Sequence, residues 1–209
     1  MRNSLLIIGL LLFCGLARGG AYEEILDAAE KNQSEAVVDL LKRGMDVNTA
    51  DPAGNTLLMI AARNDNPELI NFLLANRAGV NRRNRFGDTA CLLATVKGHL
   101  AVLQLLHANG CQIEPGGWST LHYAVFGENV DVLAWVIAQR PKLDARAPNG
   151  QTALMLAAKK GSLSFVRLLV DADADIDLAD FDGNTAIALS KVAGHQAVTE
   201  YLRSVGAVE

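Results

Sequence analysis

The sequence predicts an all-α solenoid of six stacked helix pairs, and two periodic patterns support this prediction. A Gly-x-Thr or Gly-x-Ser tripeptide recurs with its hydroxyl residue at positions 56, 89, 119, 152 and 185, so every interval is 33 residues except one of 30. A small residue recurs in the same rhythm at positions 28, 61, 94, 124, 157 and 190. A fixed period of this length indicates structural repeats that contact only their neighbours.

Each unit contains two apolar stretches with a spacing near 3.6 residues, which predict an antiparallel pair of helices. In the second unit these stretches are 57–63 and 68–75, and the polar turn 64–66 separates them. Helices this short are unstable alone, so the units must stack. We expect polar caps at both ends and unit boundaries near 21–50, 51–83, 84–113, 114–146, 147–179 and 180–209.

Residues 1–20 have the pattern of a secretory signal peptide, with Arg2, an apolar run over Leu5–Leu16 and then small residues. The run has 12 residues, whereas a membrane-spanning helix needs about 20, so stable membrane insertion is disfavoured. Removing this segment takes away Arg2 and Arg18 and lowers the net charge from −4 to −6, which argues against binding to nucleic acid. We therefore expect an exported protein, with residues 21–209 as its single domain.

The repeat resembles the ankyrin repeat, whose pattern places Gly-x-Thr-Pro-Leu-His before the first helix and Gly-Ala-Asp-Val-Asn after the second. The nearest matches are residues 117–124, which read GWSTLHYA, and residues 44–48, which read GMDVN. The family's Pro is absent from every unit, but Pro there only favours the first helical turn. The resemblance covers the whole of 21–209 and implies helix pairs joined by short β-hairpin fingers.

An ankyrin-repeat chain with an export signal is similar to the small periplasmic ankyrin-repeat proteins of bacteria. That likeness implies a periplasmic location and another exported protein, an enzyme, as partner. Our hypothesis is an inhibitor, of immunity or self-protection type, of an envelope enzyme such as a cell-wall hydrolase. The alternatives are an activator or protector of a periplasmic oxidative-stress enzyme such as catalase, and a secreted effector directed at a host. We expect a monomer before the partner binds.

The side chains that could support catalysis or metal binding fall on repeat positions or lack the required spacing. His99 follows Gly in a turn between helices, and the family resemblance implies that His122 bridges neighbouring units through hydrogen bonds. In the acid-rich segment 171–182, a calcium loop starting at Asp173 would need Gly where Leu178 stands and Glu where Asn184 stands beyond it. We predict no catalytic residue, no cofactor and no metal site.

Cys91 and Cys111 lie at ends of the third unit's helices that an antiparallel pair brings together. A disulfide between them would close a loop of about 20 residues and stabilise the unit by about 3 kcal/mol in the chain-entropy model. The alternative is two buried thiols that act as small apolar groups. Both interpretations fit the sequence.

The family resemblance places partner contacts at the fingers and at the exposed end of each unit's first helix. Large aromatic groups stand at these positions although aromatic residues make up only 5% of the chain, and aromatic groups beside Arg are typical of interface hot spots. The 30-residue interval shortens one finger, where we expect a notch flanked by Phe86 and Trp118. The predicted partner-binding residues are Arg83, Arg85, Phe86, Lys97, Trp118, Phe126, Arg146 and Phe181.

Overall fold

The computed structural model describes residues 20–113 and 117–208. The predicted signal peptide, apart from its last residue, lies outside these ranges, and so do residues 114–116 of the shortened finger. Twelve helices in six antiparallel pairs form within the described residues, which confirms the predicted all-α repeat architecture. In chain order they are α1 (20–30), α2 (Ser34–Lys42), α3 (Leu57–Arg63), α4 (Pro67–Ala75), α5 (Ala90–Val96), α6 (Leu100–Ala108), α7 (Thr120–Gly127), α8 (Val130–Ala138), α9 (Ala153–Lys160), α10 (Leu163–Asp171), α11 (Ala186–Val192) and α12 (Gln196–Ser204).

The recurring Gly-x-Thr tripeptide folds as a tight turn followed by a helix N-cap. Gly54 and Gly87 have φ angles of +86° and +87°, in the left-handed region that glycine adopts without a steric penalty. Thr56 and Thr89 then cap α3 and α5, because each hydroxyl oxygen accepts a 3.3 Å hydrogen bond from the backbone N–H three residues later. The hydroxyl of Thr152 caps α9 at the same distance of 3.3 Å. The first periodic pattern is therefore the start signal of each inner helix.

The second periodic pattern marks the contact between consecutive inner helices, α3, α5, α7, α9 and α11, which pack on one another in order. Ala61, Ala94, Ala124 and Ala157 have no exposed surface, and their small side chains let the helices approach closely. Ser190 takes this position in the last unit, where its hydroxyl donates to the Ile187 carbonyl oxygen at 2.8 Å. The core is thus a continuous row rather than a single centre.

The fingers between units are tighter than the predicted β-hairpins. Single antiparallel bridges, Ala50 with Thr56 and Ala179 with Thr185, close the second and sixth fingers, and no strand forms in the described residues. A side chain reinforces the backbone hydrogen bond from Asp51 N–H to the Asn55 carbonyl oxygen, since Asp51 Oδ1 accepts the backbone N–H of Asn55 at 2.8 Å.

A second set of side chains joins the loops of consecutive units. The Asn or Asp that ends the Gly-Ala-Asp-Val-Asn pattern accepts a hydrogen bond from a backbone N–H of the next unit. The four described links run from Gly79 to Asn48 at 2.9 Å, from Gln112 to Asn81 at 2.9 Å, from Asp175 to Asp144 at 3.0 Å and from Val208 to Asp177 at 2.9 Å. Part of the acid-rich segment therefore serves the stack itself.

Cys91 of α5 and Cys111 after α6 form a disulfide in this structure, with their Cα atoms 6.5 Å apart. That separation lies within the range that a disulfide spans, and both residues are buried. The bridge holds the two helices of the third unit together just before the shortened finger. In the described part of the chain, every helix is too short or too polar to span a bilayer.

Candidate partner-binding surface

The fingers of the third and sixth units carry exposed aromatic tips. Asn84 Oδ1 accepts the backbone N–H groups of Phe86 and Asp88, both at 2.9 Å, which fixes the turn and leaves Phe86 78% exposed. The sixth finger uses Asp180 in the same way, and Phe181 is 71% exposed. Two of the predicted contact residues are therefore open aromatic groups on rigid turns.

Asp180 is ionised although it is buried within its finger. Burial alone would raise its pKa, but hydrogen bonds from the backbone N–H of Asn184, the side chain of Gln151 and the backbone N–H of Asp182 favour the carboxylate. These bonds hold the pKa of Asp180 below its usual value of 3.8. The carboxylate is thereby committed to shaping the finger.

The predicted cationic residues are all exposed, and one of them also binds within the stack. Arg83, Arg85 and Lys97 are exposed. The guanidinium of Arg146 donates to the carbonyl oxygens of Ala179 at 2.6 Å and Gly150 at 3.0 Å, so it joins the fifth and sixth fingers. Arg146 is itself exposed, so these bonds leave its predicted partner contact as a prediction.

A recess opens between the third and fourth units, where the inner helices meet the fingers. It has a volume of about 330 Å³ and is lined by Val96, Trp118, Tyr123 and Phe126. Trp118 is half-buried rather than fully exposed, because its ring centroid lies 5.3 Å from those of both His122 and Phe126. Phe126 is 45% exposed and forms the open wall.

Two polar groups lie under the recess. The Tyr123 hydroxyl donates to the Asp88 carboxylate, and burial together with that carboxylate raises the pKa of Tyr123 above its usual value. His122 is fully buried; its Nε2 bonds the Gln151 carbonyl oxygen at 3.0 Å and its Nδ1 bonds the Ser119 hydroxyl at 2.7 Å. Burial lowers the pKa of His122, so the ring is neutral near pH 7, and it joins the fourth unit to the fifth as the family resemblance implied.

The notch was expected between Phe86 and Trp118, and the observed recess shares only Trp118 with it. Phe86 does not line the recess, which is closed instead by Val96 and Phe126 of the inner helices. Sequence reasoning missed Tyr123, although aligning the units would have found it. The equivalent position carries an aliphatic residue in every other unit that has the tripeptide, namely Ile60, Leu93, Leu156 and Leu189.

Among residues 20–113 and 117–208, no three His, Cys, Asp or Glu side chains are grouped so that they could hold a metal ion. His99 Nε2 bonds the Arg63 carbonyl oxygen and His195 Nε2 bonds the Lys159 carbonyl oxygen, both at 3.1 Å. These two rings join consecutive units. The surface offers walls, charges and exposed aromatic groups, which are the components of a protein interface.

Comparison with known proteins places these features in a family. Over 72% of its own length, the chain is 30% identical to the nuclear factor NF-kappa-B p105 subunit of Gallus gallus. Over 81% of its own length, it is 31% identical to the E3 ubiquitin-protein ligase XBAT33 of Arabidopsis thaliana. It spans 16% and 33% of those two proteins. The likeness to these larger proteins is therefore confined to a part of their length.

A solved structure matches the chain over nearly the whole length of both. The immunity protein Bd3460, in complex with the predatory endopeptidase Bd0816 from Bdellovibrio bacteriovorus, is 26% identical, with a TM-score of 0.77. The match covers 87% of this chain and 97% of that one. The family model described as ankyrin repeats (3 copies) matches residues 25–115, 58–147 and 121–208, which together reach into all six helix pairs. The turn, cap and inter-unit chemistry and these matches agree, and the chain belongs to the ankyrin-repeat family.

Proposed function

We propose that this chain is an exported inhibitor that binds an envelope hydrolase, a peptidase in the first place, and protects the cell that makes both proteins. The observation that carries the proposal is the match to an immunity protein in complex with an endopeptidase, over 97% of that protein's length. The curated relatives support only the repeat, because the chain spans about a third or less of their length.

The surface suits an inhibitor that works by covering an enzyme. Phe86 and Phe181 stand on rigid fingers three units apart, and the recess beside Phe126 lies between them along the stack. Contacts spread over several units fix a partner in one orientation, and the rigid stack then blocks substrate access to whatever it covers. Neither step needs a catalytic group on this chain, because binding alone inhibits.

Export is supported by two independent features. The first is the signal-like pattern of residues 1–20. The second is the disulfide between Cys91 and Cys111, since structural disulfides persist in oxidising compartments such as the periplasm and are rare in the cytosol. Fractionation of the producing cells tests this step, and recovery of the mature chain in the cytosol would contradict it.

The decisive experiment has two steps. Mild crosslinking in the envelope fraction of the producing cells first identifies the hydrolase that the protein captures. Purified protein is then titrated into that hydrolase, prepared separately and without crosslinks. We expect hydrolase activity to fall to a plateau at an equimolar ratio. Phe181→Ala and Arg85→Glu should weaken inhibition because the proposed surface uses both side chains to contact the enzyme. Both side chains are exposed, so the substitutions should leave the fold intact. Unchanged or increased activity in the saturated complex would refute inhibition and favour an activator.

A further inference from the structure

The fourth unit departs from the repeat in its finger. Trp118 stands where the second and fifth units carry Asn55 and Gln151. Those polar side chains link consecutive fingers, since Asn84 Nδ2 donates to Asn55 Oδ1 at 2.8 Å and Gln151 Nε2 donates to Asp180 Oδ2 at 3.4 Å. An indole cannot accept a hydrogen bond, so Trp118 gives up the acceptor role that Asn55 has.

What the replacement creates is the aromatic recess. Trp118 packs at 5.3 Å against Phe126, whose equivalent in the fifth unit is the exposed Lys159. Gly127 sets the width of the recess, because a Cβ atom there would lie 2.6 Å from the carbonyl oxygen of Val96. Only glycine allows this approach of α7 to the end of α5. A large apolar surface left partly open on a rigid frame marks a binding site.

The rim of the recess is positively charged. Lys97 follows Val96 at one side and is exposed, while Lys159 and Lys160 occupy the equivalent positions on the other side of Phe126. Lys160 Nζ lies 5.5 Å from the centroid of the Phe126 ring and 2.6 Å from the carboxylate of Glu128. Three lysines therefore flank the recess against two carboxylates, those of Glu128 and of Asp88 beneath it, so the balance is positive and the rim attracts a carboxylate.

We infer that the recess takes one bulky apolar side chain from a loop of the partner, and that a carboxylate next to it in that loop pairs with the lysines of the rim. The inference rests on the proposed function, since it describes how the enzyme is held. A volume of about 330 Å³ is at the lower limit of ligand pockets, which suits one large side chain and not a folded element.

The test uses capped peptides as probes and Trp118 as reporter. Trp135→Phe in the full chain leaves Trp118 as the only tryptophan. The probe with Phe-Asp between Gly and Ser residues should change Trp118 emission saturably. Replacing Phe by Ala in the probe should weaken binding roughly tenfold or more, because burial of the ring drives it. Replacing Asp by Lys should weaken it about two- to fivefold, and about 0.5 M salt should remove that difference.

Variants of the protein locate the site. Phe126→Ala should abolish the Phe-Asp response, and Lys97→Glu should remove the preference for Asp over Lys. Phe86→Ala is the matched control, since Phe86 is exposed but does not line the recess, and it should bind the probe like the parent. Equal binding of the Phe and Ala probes, or loss of binding in Phe86→Ala, would overturn the inference. Concentration-dependent dimers that Phe126→Ala dissolves would overturn it in favour of a second copy of the chain.

The two proposals can fail separately. If the parent inhibits the captured hydrolase and Phe126→Ala inhibits it equally well, the recess is not the anchor, although the proposed function stands. If the probes bind as expected and no exported hydrolase is inhibited, the recess stands as a peptide site and the proposed function fails.

Discussion

The disulfide of the third unit should dominate the redox dependence of stability. Cys91 and Cys111 are 20 residues apart in sequence, and the chain-entropy relation for a loop of this length gives about 3 kcal/mol. For a chain of this size each kcal/mol corresponds to about 2–4 °C in melting temperature. Reduction should therefore lower the melting temperature by about 6–12 °C. The helix content of the folded protein at about 20 °C should stay the same. Far-UV circular dichroism melts with and without a phosphine reductant measure this shift.

The control is Cys111→Ala, which cannot form the bridge and should melt at the same temperature with and without reductant. Thiol labelling of the unfolded, unreduced protein reports the bridge directly, since Cys91 and Cys111 should then stay unlabelled. Labelling of both residues without reductant would show that the bridge is absent. A verified reduction that shifts the melting temperature by less than about 2 °C would show that the bridge does not restrict the unfolded chain as the entropy relation requires.

Three further predictions follow from the geometry of the fingers and of the buried ring. Burial lowers the pKa of His122, so below pH 6.5 the unfolded chain binds a proton at this ring more readily than the folded chain does. The free energy of unfolding should therefore fall as the pH drops below 6.5, by at most about 1.4 kcal/mol per pH unit for this group. Denaturant titrations of the parent and His122→Gln at several pH values isolate the effect. Asp180→Ala should lower the free energy of unfolding by about 1–3 kcal/mol because two backbone N–H groups lose their acceptor. Asp180→Asn should melt near the parent, since Asn84 accepts the two equivalent hydrogen bonds in the third finger. Gly150→Ala should destabilise more than Gly183→Ala: both have positive φ, but only the first would place a Cβ atom 2.7 Å from the ring of Phe181, and equal melting temperatures would refute that difference.

The fold follows from the sequence because each unit carries its own local signals. A glycine that adopts positive φ, a threonine that caps the next helix and a small residue at the helix contact recur in nearly every unit, so their spacing predicts the stack. The exposed tips Phe86 and Phe181 could be predicted in the same way, since a finger position determines exposure. These inferences need only the position of a residue within its own unit.

The recess could not be predicted in that way because it forms between units. Trp118 occupies a finger position that the family resemblance treats as exposed, yet its ring turns toward Phe126 and becomes half-buried. Tyr123 lies on the inner helix and reaches back to the Asp88 carboxylate of the preceding unit. The bonds of Arg146 could not be predicted for the same reason, since its partner oxygens belong to its own finger and the next one. Contacts across the unit boundary depend on packing that a single unit does not encode.

A regular stack presents its partner with a problem of register. If all units displayed the same groups, a partner shifted by one unit would meet nearly the same surface and bind almost equally well, because specificity is a difference between affinities. The fourth unit removes this ambiguity, since Trp118, Tyr123 and Phe126 occur together in that unit alone and the rim lysines flank it on both sides. A partner loop that fills the recess therefore fixes the position of every other contact along the stack. Under the proposed binding mode, Phe86 and Phe181 meet their contacts only in that register, so the irregular unit would set the specificity and the regular units would supply the rigid surface.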